Sequence, residues 1–302
     1  MSGLPEGLVR MGRHRNVMRE IREHGLLRAK EVGAENVLDS SLGNPSVPPP
    51  PQVDDTIRAL LSGPEAASIH GYTSAQGDQA VREALAASLT RRFGMAYRAE
   101  DLYLTVGAAA ALCCVFRALA CPGDEFVLLA PYFTEYDVFV RGNGGTPVVV
   151  PPDYETFQPD LAALAKAVGP HTKGVVVNSP NNPSGAIYPA ETIEKIAGIL
   201  REKEAEYGHP IYLISDEPYR EIVFRGYTVP WLPAFYDDTI VCYSYSKSLS
   251  LPGERIGYIL LGEKVAERED LYAAVCGAGR VLGYVNAPSL FQRVAAACDG
   301  LT

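Results

Sequence analysis

From about residue 78 onward the apolar residues keep switching period, and that alternation limits the fold more than any other feature of the chain. Segments at about 78–93, 107–120, 159–168, 190–207 and 263–281 carry apolar residues at helical spacing. Between them lie short apolar runs at about 125–129, 146–150, 173–178, 210–216 and 239–245. Parallel strands need crossover connections of helix length, and short buried runs separated by amphipathic helices supply them. The pattern therefore predicts an α/β fold of three layers, α/β/α, with a mainly parallel central sheet. One compositional break interrupts the chain, the proline-rich stretch from Ser41 to Pro51. It reads as a rigid extended segment that cannot be helix. It divides residues 1–47, a charged helical arm with an extended segment, from residues 48–302, one large domain.

Charge and composition narrow the partners. The 302 residues are 47 % hydrophobic and 21 % charged, which suits a folded globular chain. A net charge of -9 provides no broad positive field for a phosphate backbone or an anionic lipid surface, so neither nucleic acid nor membrane is expected as a partner. The N-terminal sequence MSGLPEGLVRMGRHRN contains no apolar core of a leader, and runs such as 148–150 and 175–177 are too short to span a bilayer. A cytoplasmic protein is the expectation. Cys113, Cys114, Cys121, Cys242, Cys276 and Cys298 show neither CxxC spacing nor neighbouring histidines, so they read as buried reduced thiols, with no metal and no disulfide.

In a parallel sheet flanked by helices, ligands collect beyond the carboxyl ends of the strands, so polar residues directly after apolar runs are the candidates. Lys247 follows such a run among serines, eight positions before Arg255. Held near that cation and partly withdrawn from water, its amine can form a Schiff base with a carbonyl; held in water, it can only bind phosphate by charge. Asp216 ends the run 211–214 and calls for a cationic partner, either a protonated ring nitrogen, an arginine or a helix N-terminus. The small residues from Gly107 to Ala110 open a helix with bare backbone N–H groups, fit for phosphate or simply for close packing. Asn182, in Asn181-Asn182-Pro183-Ser184-Gly185, is either a turn residue or an amide able to hold a phenolate-like oxygen. Phe133, in Pro131-Tyr132-Phe133, offers a ring face to a ligand or to the core.

A reactive lysine, a phosphate cup, a carboxylate, an amide and an aromatic lid together suit one ligand, pyridoxal phosphate. In this order the motifs resemble the class I/II aminotransferases of the aspartate aminotransferase fold, from about Leu38 to the last residue. The signature S-x-S-K-x(7)-R, here Ser244 through Arg255, stands downstream of Asp216-Glu217-Pro218-Tyr219 and Asn181-Asn182-Pro183-Ser184-Gly185. The resemblance implies an enzyme that moves an amino group from an amino acid to a 2-oxo acid. It makes Lys247 the Schiff-base lysine and general base, and Asp216 the partner of the pyridine nitrogen. Tyr219 and Asn182 become donors to the ring oxygen, and Phe133 the ring stacker. Arg255, Ser244, Ser246 and the amides of Ala108 and Ala109 become the phosphate site. Tyr72, in His70-Gly71-Tyr72, matches a tyrosine that reaches the phosphate of a neighbouring subunit, which implies a homodimer with shared sites. Gly43 matches a position whose backbone meets the substrate carboxylate, with Asn182 beside it.

Family members continue past this point into a small domain that clamps the substrate carboxylate with an arginine. Ending at Thr302, this chain reads as truncated, with that domain absent and apolar surface left uncovered. Arg280 lies near the place where dicarboxylate-specific relatives carry an arginine, or is a surface residue of its helix. A C–S lyase on the same fold and a non-catalytic aminotransferase-like sensor are the alternative functions.

Overall fold

The structure, a computed structural model, describes residues 3–13, 17–39 and 43–301. It divides at residue 48 into two units. Among the described residues the first holds the helices Glu6–Arg13 and Val17–Val32 and a 3-10 turn, Ala34–Asn36. On its surface Arg28 pairs with Glu31 at 2.8 Å, an i,i+3 spacing expected of a charged helical arm.

The second unit is built on strands rich in β-branched and aromatic residues. They are β1 (Leu102–Thr105), β2 (Glu125–Leu129), β3 (Thr146–Val150), β4 (Thr172–Asn178), β5 (Tyr212–Asp216), β6 (Thr239–Ser244) and β7 (Gly257–Leu261). They form one sheet in the order β1-β7-β6-β5-β4-β2-β3. Every pairing is parallel except the two made by β7, so β7 alone runs against the rest. The expected α/β/α architecture with a mainly parallel sheet is what forms. Because side chains alternate across a strand, β6 sends Ile240 and Cys242 into one layer and Val241 and Tyr243 into the other. The first layer is closed by helices Ala108–Leu119, Glu135–Gly142 and Arg268–Leu282. The second is closed by Pro51–Ser62, Gln79–Phe93 and Ser289–Cys298 over β1, β7 and β6, and by Leu161–Ala167 and Ala190–Tyr207 over the rest.

Three sequence expectations need correction. Within the proline-rich stretch Ser41 and Leu42 lie outside the described residues and residues 43–50 form no helix, but Pro51 opens one, because at the first helical position proline has no intrahelical N–H bond to lose. The helix expected from 263 begins at Arg268, after Glu267 takes a left-handed backbone with φ 53°. Of the cysteines expected to be buried, Cys113 and Cys276 are half-buried and Cys121 is exposed, since it stands in the turn after helix Ala108–Leu119, where its N–H bonds Asp124 at 2.8 Å. Strand β7 and helices Pro51–Ser62, Glu135–Gly142 and Ser289–Cys298 were not expected from period alone.

The strand register aligns the functional edge. Asn178, Asp216 and Cys242 are neighbours across β4, β5 and β6, and Ser244, Gly257 and Thr105 are neighbours across β6, β7 and β1. At Gly257 the sheet closes tightly: a Cβ there would sit 2.1 Å from the Tyr243 carbonyl oxygen and 3.1 Å from Gly107 Cα. Both obstacles are backbone, so the strand itself would have to move. Gly257→Ala is expected to lower unfolding free energy by about 1–3 kcal/mol, read from urea denaturation of the purified chain. A stability equal to wild type would show that this edge is less tightly closed than the geometry indicates.

Candidate active site

At the end of β5, Asp216 is buried with its carboxylate turned into the protein. One oxygen, Oδ2, accepts a short hydrogen bond from the Tyr136 hydroxyl; the other, Oδ1, is buried and has no partner. Burial pushes the carboxyl up to about 7, the Tyr136 bond acting against it and the nearby Glu217 charge adding to it. A carboxylate in this state is completed by a cation or a positively polarised N–H at Oδ1. Around it the backbone is pinned. Asn178 Nδ2 donates to the Asp216 carbonyl at 2.9 Å, and Asn178 Oδ1 accepts the Asn182 N–H at 2.7 Å. Asn182 Nδ2 then donates to the Tyr219 hydroxyl oxygen at 3.2 Å, so the amide and the phenol that the sequence singled out do meet. The Tyr219 phenol is pushed up by burial and by the Asp216 charge.

On the next strand, β6 ends in Ser244, whose hydroxyl caps the short helix Tyr245–Ser248 by accepting the Ser246 N–H at 3.2 Å. That turn carries Lys247, half-buried, its amine lowered by burial and by the neighbouring Arg255 charge. Asp216 and Lys247 thus stand at the same carboxyl edge of adjacent strands.

Beside Lys247 is a polar cup. The hydroxyls of Ser244 and Ser246 lie 2.7 Å apart, and Arg255 Nη1 stands 3.5 Å from Ser246 Oγ. Gly107, with φ 89°, turns the chain from β1 into helix Ala108–Leu119, and a Cβ there would come within 2.8 Å of Arg255 Nη2. Only glycine leaves that space open. Ala108 and Ala109 occupy the first helical turn, where backbone N–H groups have no acceptor within the helix and the dipole favours negative charge. A guanidinium, two hydroxyls and a bare helix start form a site for a dianion.

Phe133 is half-buried and packs edge-on against Tyr136, with centroids 5.7 Å apart, so it stands one ring away from Asp216. Tyr72 lies on the surface of the second unit with 91 % of its area exposed, in a segment held to β1 by the Leu104 N–H to Gln76 carbonyl bond at 2.9 Å. Arg280 is exposed in the last turn of helix Arg268–Leu282. Gly43 is exposed in the extended part of the first unit. One residue escapes a sequence reading: Tyr136 lies within a helix whose pattern is unremarkable, and its part follows only from the packing that brings it to Asp216. Asn178 ends an apolar run, where the sequence does point, and the strand register sets it beside Asp216.

An unpartnered, buried carboxylate oxygen, a depressed lysine amine and a dianion cup on one sheet edge fit a phosphorylated ring with a basic nitrogen. The comparisons with known proteins agree in kind. The family described as "Aminotransferase class I and II" matches residues 36–298. A probable aspartate/prephenate aminotransferase of Thermus aquaticus is 36 % identical over 234 residues, 77 % of this chain and 57 % of that protein. The solved structure of an amino transferase from Eubacterium rectale superposes with a TM-score of 0.96 at 52 % identity, over 99 % of this chain and 76 % of that one. The aspartate aminotransferase from Thermus thermophilus, solved with maleate, gives a TM-score of 0.84 at 28 % identity, over 99 % of this chain and 73 % of its own. The chain therefore spans a little over half the length of the Thermus aquaticus relative. From residue 36 to residue 298 the sequence matches one family and the fold carries that family's architecture, so this chain belongs to the class I and II aminotransferases.

Proposed function

We propose that the protein is a pyridoxal-phosphate-dependent aminotransferase, which moves an amino group from an amino acid to a 2-oxo acid. One observation carries the reading: the buried Asp216 carboxylate, with Oδ1 unpartnered, shares a sheet edge with the lowered amine of Lys247. Asp216 would hold the ring nitrogen, and Asn182 with Tyr219 the ring oxygen. Phe133 would face the ring. Arg255, Ser244, Ser246 and the N–H groups of Ala108 and Ala109 would hold the phosphate. When bound, the cofactor supplies an electron sink for breaking a bond at the substrate Cα.

The residues of the chain do the rest. Lys247 Nζ, held below its ordinary pKa by burial and by Arg255, is the base that takes the Cα proton and returns it. Asp216 Oδ1 holds a proton on the ring nitrogen, because an ion pair there relieves the cost of enclosing the carboxylate. The Tyr219 hydroxyl and the Asn182 amide stabilise negative charge on the ring oxygen. Residues 48–302 form the cofactor-binding domain in this proposal, and residues 1–47 an N-terminal arm. The exposed Tyr72 serves the phosphate of a second copy in a homodimer. A cytoplasmic location belongs to the same proposal; among the described residues no helix is long and apolar enough to cross a membrane.

Three results test this. With added pyridoxal phosphate, the chain is expected to gain a visible absorption band, and borohydride should then fix the cofactor to the peptide that contains Lys247. Lys247→Ala should show neither, and a wild-type chain without the band would overturn the reading. An amino acid and a 2-oxo acid supplied together should exchange their amino group; ammonia released without an acceptor would instead indicate a lyase.

The third test uses pH. The folded Asp216 carboxyl, at about 7, titrates above its ordinary 3.8, so between those values the folded chain keeps a proton that the unfolded chain has lost. Stability of the cofactor-free chain should therefore fall as pH rises through that window, by at most about 4 kcal/mol from this group. Asp238, pushed to about 6 mainly by burial, titrates in the same range, so the comparison is between wild type and Asp216→Asn. In urea denaturation the variant should lose less stability with rising pH, and the cofactor should flatten the wild-type decline. Equal pH slopes for wild type and variant would count against a protonated, enclosed Asp216.

A further inference from the structure

The pocket proposed above is assembled from two turns remote in sequence. One follows β5 and carries Tyr219; the other is the short helix Tyr245–Ser248, which carries Lys247. A third element meets the first turn directly and the second through Asp299. On helix Gln79–Phe93, Arg92 donates through Nη2 to the Glu221 carboxylate and places Nη1 3.8 Å from Asp299 Oδ1. Glu221 stands two residues after Tyr219, in a turn closed by the Ile222 N–H to Tyr219 carbonyl bond at 2.9 Å. Asp299 Oδ1 accepts the hydroxyl of Tyr245, two residues before Lys247, at 2.9 Å. On the other side of the lysine, the Tyr243 hydroxyl donates to Ser248 Oγ at 2.9 Å.

This network is enclosed. The Glu221 and Asp299 side chains are 8 % and 4 % exposed. Tyr243 stacks on Tyr258 at 4.9 Å and meets Tyr245 edge-on at 5.0 Å, so the lysine turn rests on an aromatic floor with the ion pairs at its margin. A partly exposed guanidinium paired with two buried carboxylates holds its partners in a narrow range of positions, because either carboxylate left alone in this setting is costly.

We propose that Arg92 is a positioning residue, which by pairing with both Glu221 and Asp299 ties the Tyr219 turn to the Lys247 turn and sets how far the lysine amine is withdrawn from water. The inference rests on Tyr219 and Lys247 serving the cofactor, so its test is made without cofactor and separates the two ideas. Reductive methylation of the full chain with formaldehyde and cyanoborohydride across a pH series, read by peptide mass spectrometry, yields the titration midpoint of Lys247. The exposed Lys166 is the internal reference.

Arg92→Lys keeps the positive charge but offers a single ammonium in place of a two-sided fork, and Tyr245→Phe removes one hydroxyl while leaving the ion pairs. In both, the lysine turn should open to water and the Lys247 midpoint should rise by roughly half a pH unit, with Lys166 unchanged. Circular dichroism and the fluorescence of Trp231, the single tryptophan, stacked on Phe93 at 3.8 Å, check that the fold persists. If one variant fails to fold, the other decides. Folded variants with the wild-type midpoint overturn the positioning role. A wild-type chain that takes up no pyridoxal phosphate overturns the cofactor reading and leaves this measurement standing.

Discussion

An enclosed carboxylate without a cation is the constraint around which this structure is arranged. Asp216 ends a fully buried strand, and its surroundings hold it without satisfying it: Tyr136 takes one oxygen, Asn178 secures its backbone, and Oδ1 is left unpartnered. Removing a carboxylate from water is expensive, and the protonated state at about 7 is the chain's way of limiting that cost until a positive group arrives. The same edge carries a lysine disfavoured as a cation and a cup suited to a dianion. The enclosed carboxylate and the half-buried amine are costs when alone; a ligand that supplies the complementary charges would offset them together.

How much of this was legible in the sequence depends on the range of the interaction. The strands at 125–129 and 146–150 and the helix at 190–207 follow from local period, and the structure places them at those positions. Strand β7 was not legible, because its five residues are too short to show a period and its antiparallel sense is decided by neighbours. The helix at Pro51 was misjudged from proline content, where position within the helix matters more than composition.

The same distinction runs through the site. Lys247, Asp216, Asn182, Tyr219 and Arg255 each follow an apolar run or a turn motif, which is a local signal. Tyr136 and Arg92 carry none. Each lies on a helix among ordinary neighbours, and its partner is 80 or more positions away, so only the packing of helix on sheet reveals it. The polar edge is thus specified by local motifs, while its supports are specified by tertiary contacts.

The reversal of β7 has its own consequence. A strand running against its neighbours starts where they finish, so the chain leaves β6 and returns to β7 on one side of the sheet, with Lys247 and Arg255 both inside that return. The amine of Lys247 and the guanidinium of Arg255 are therefore spaced by a single short connection rather than by separate crossovers. Evolution can lengthen the other βα connections with little effect on this pair, but an insertion or deletion between Ser244 and Gly257 would change the distance between amine and guanidinium directly. This connection should be the segment of the domain least tolerant of changes in length.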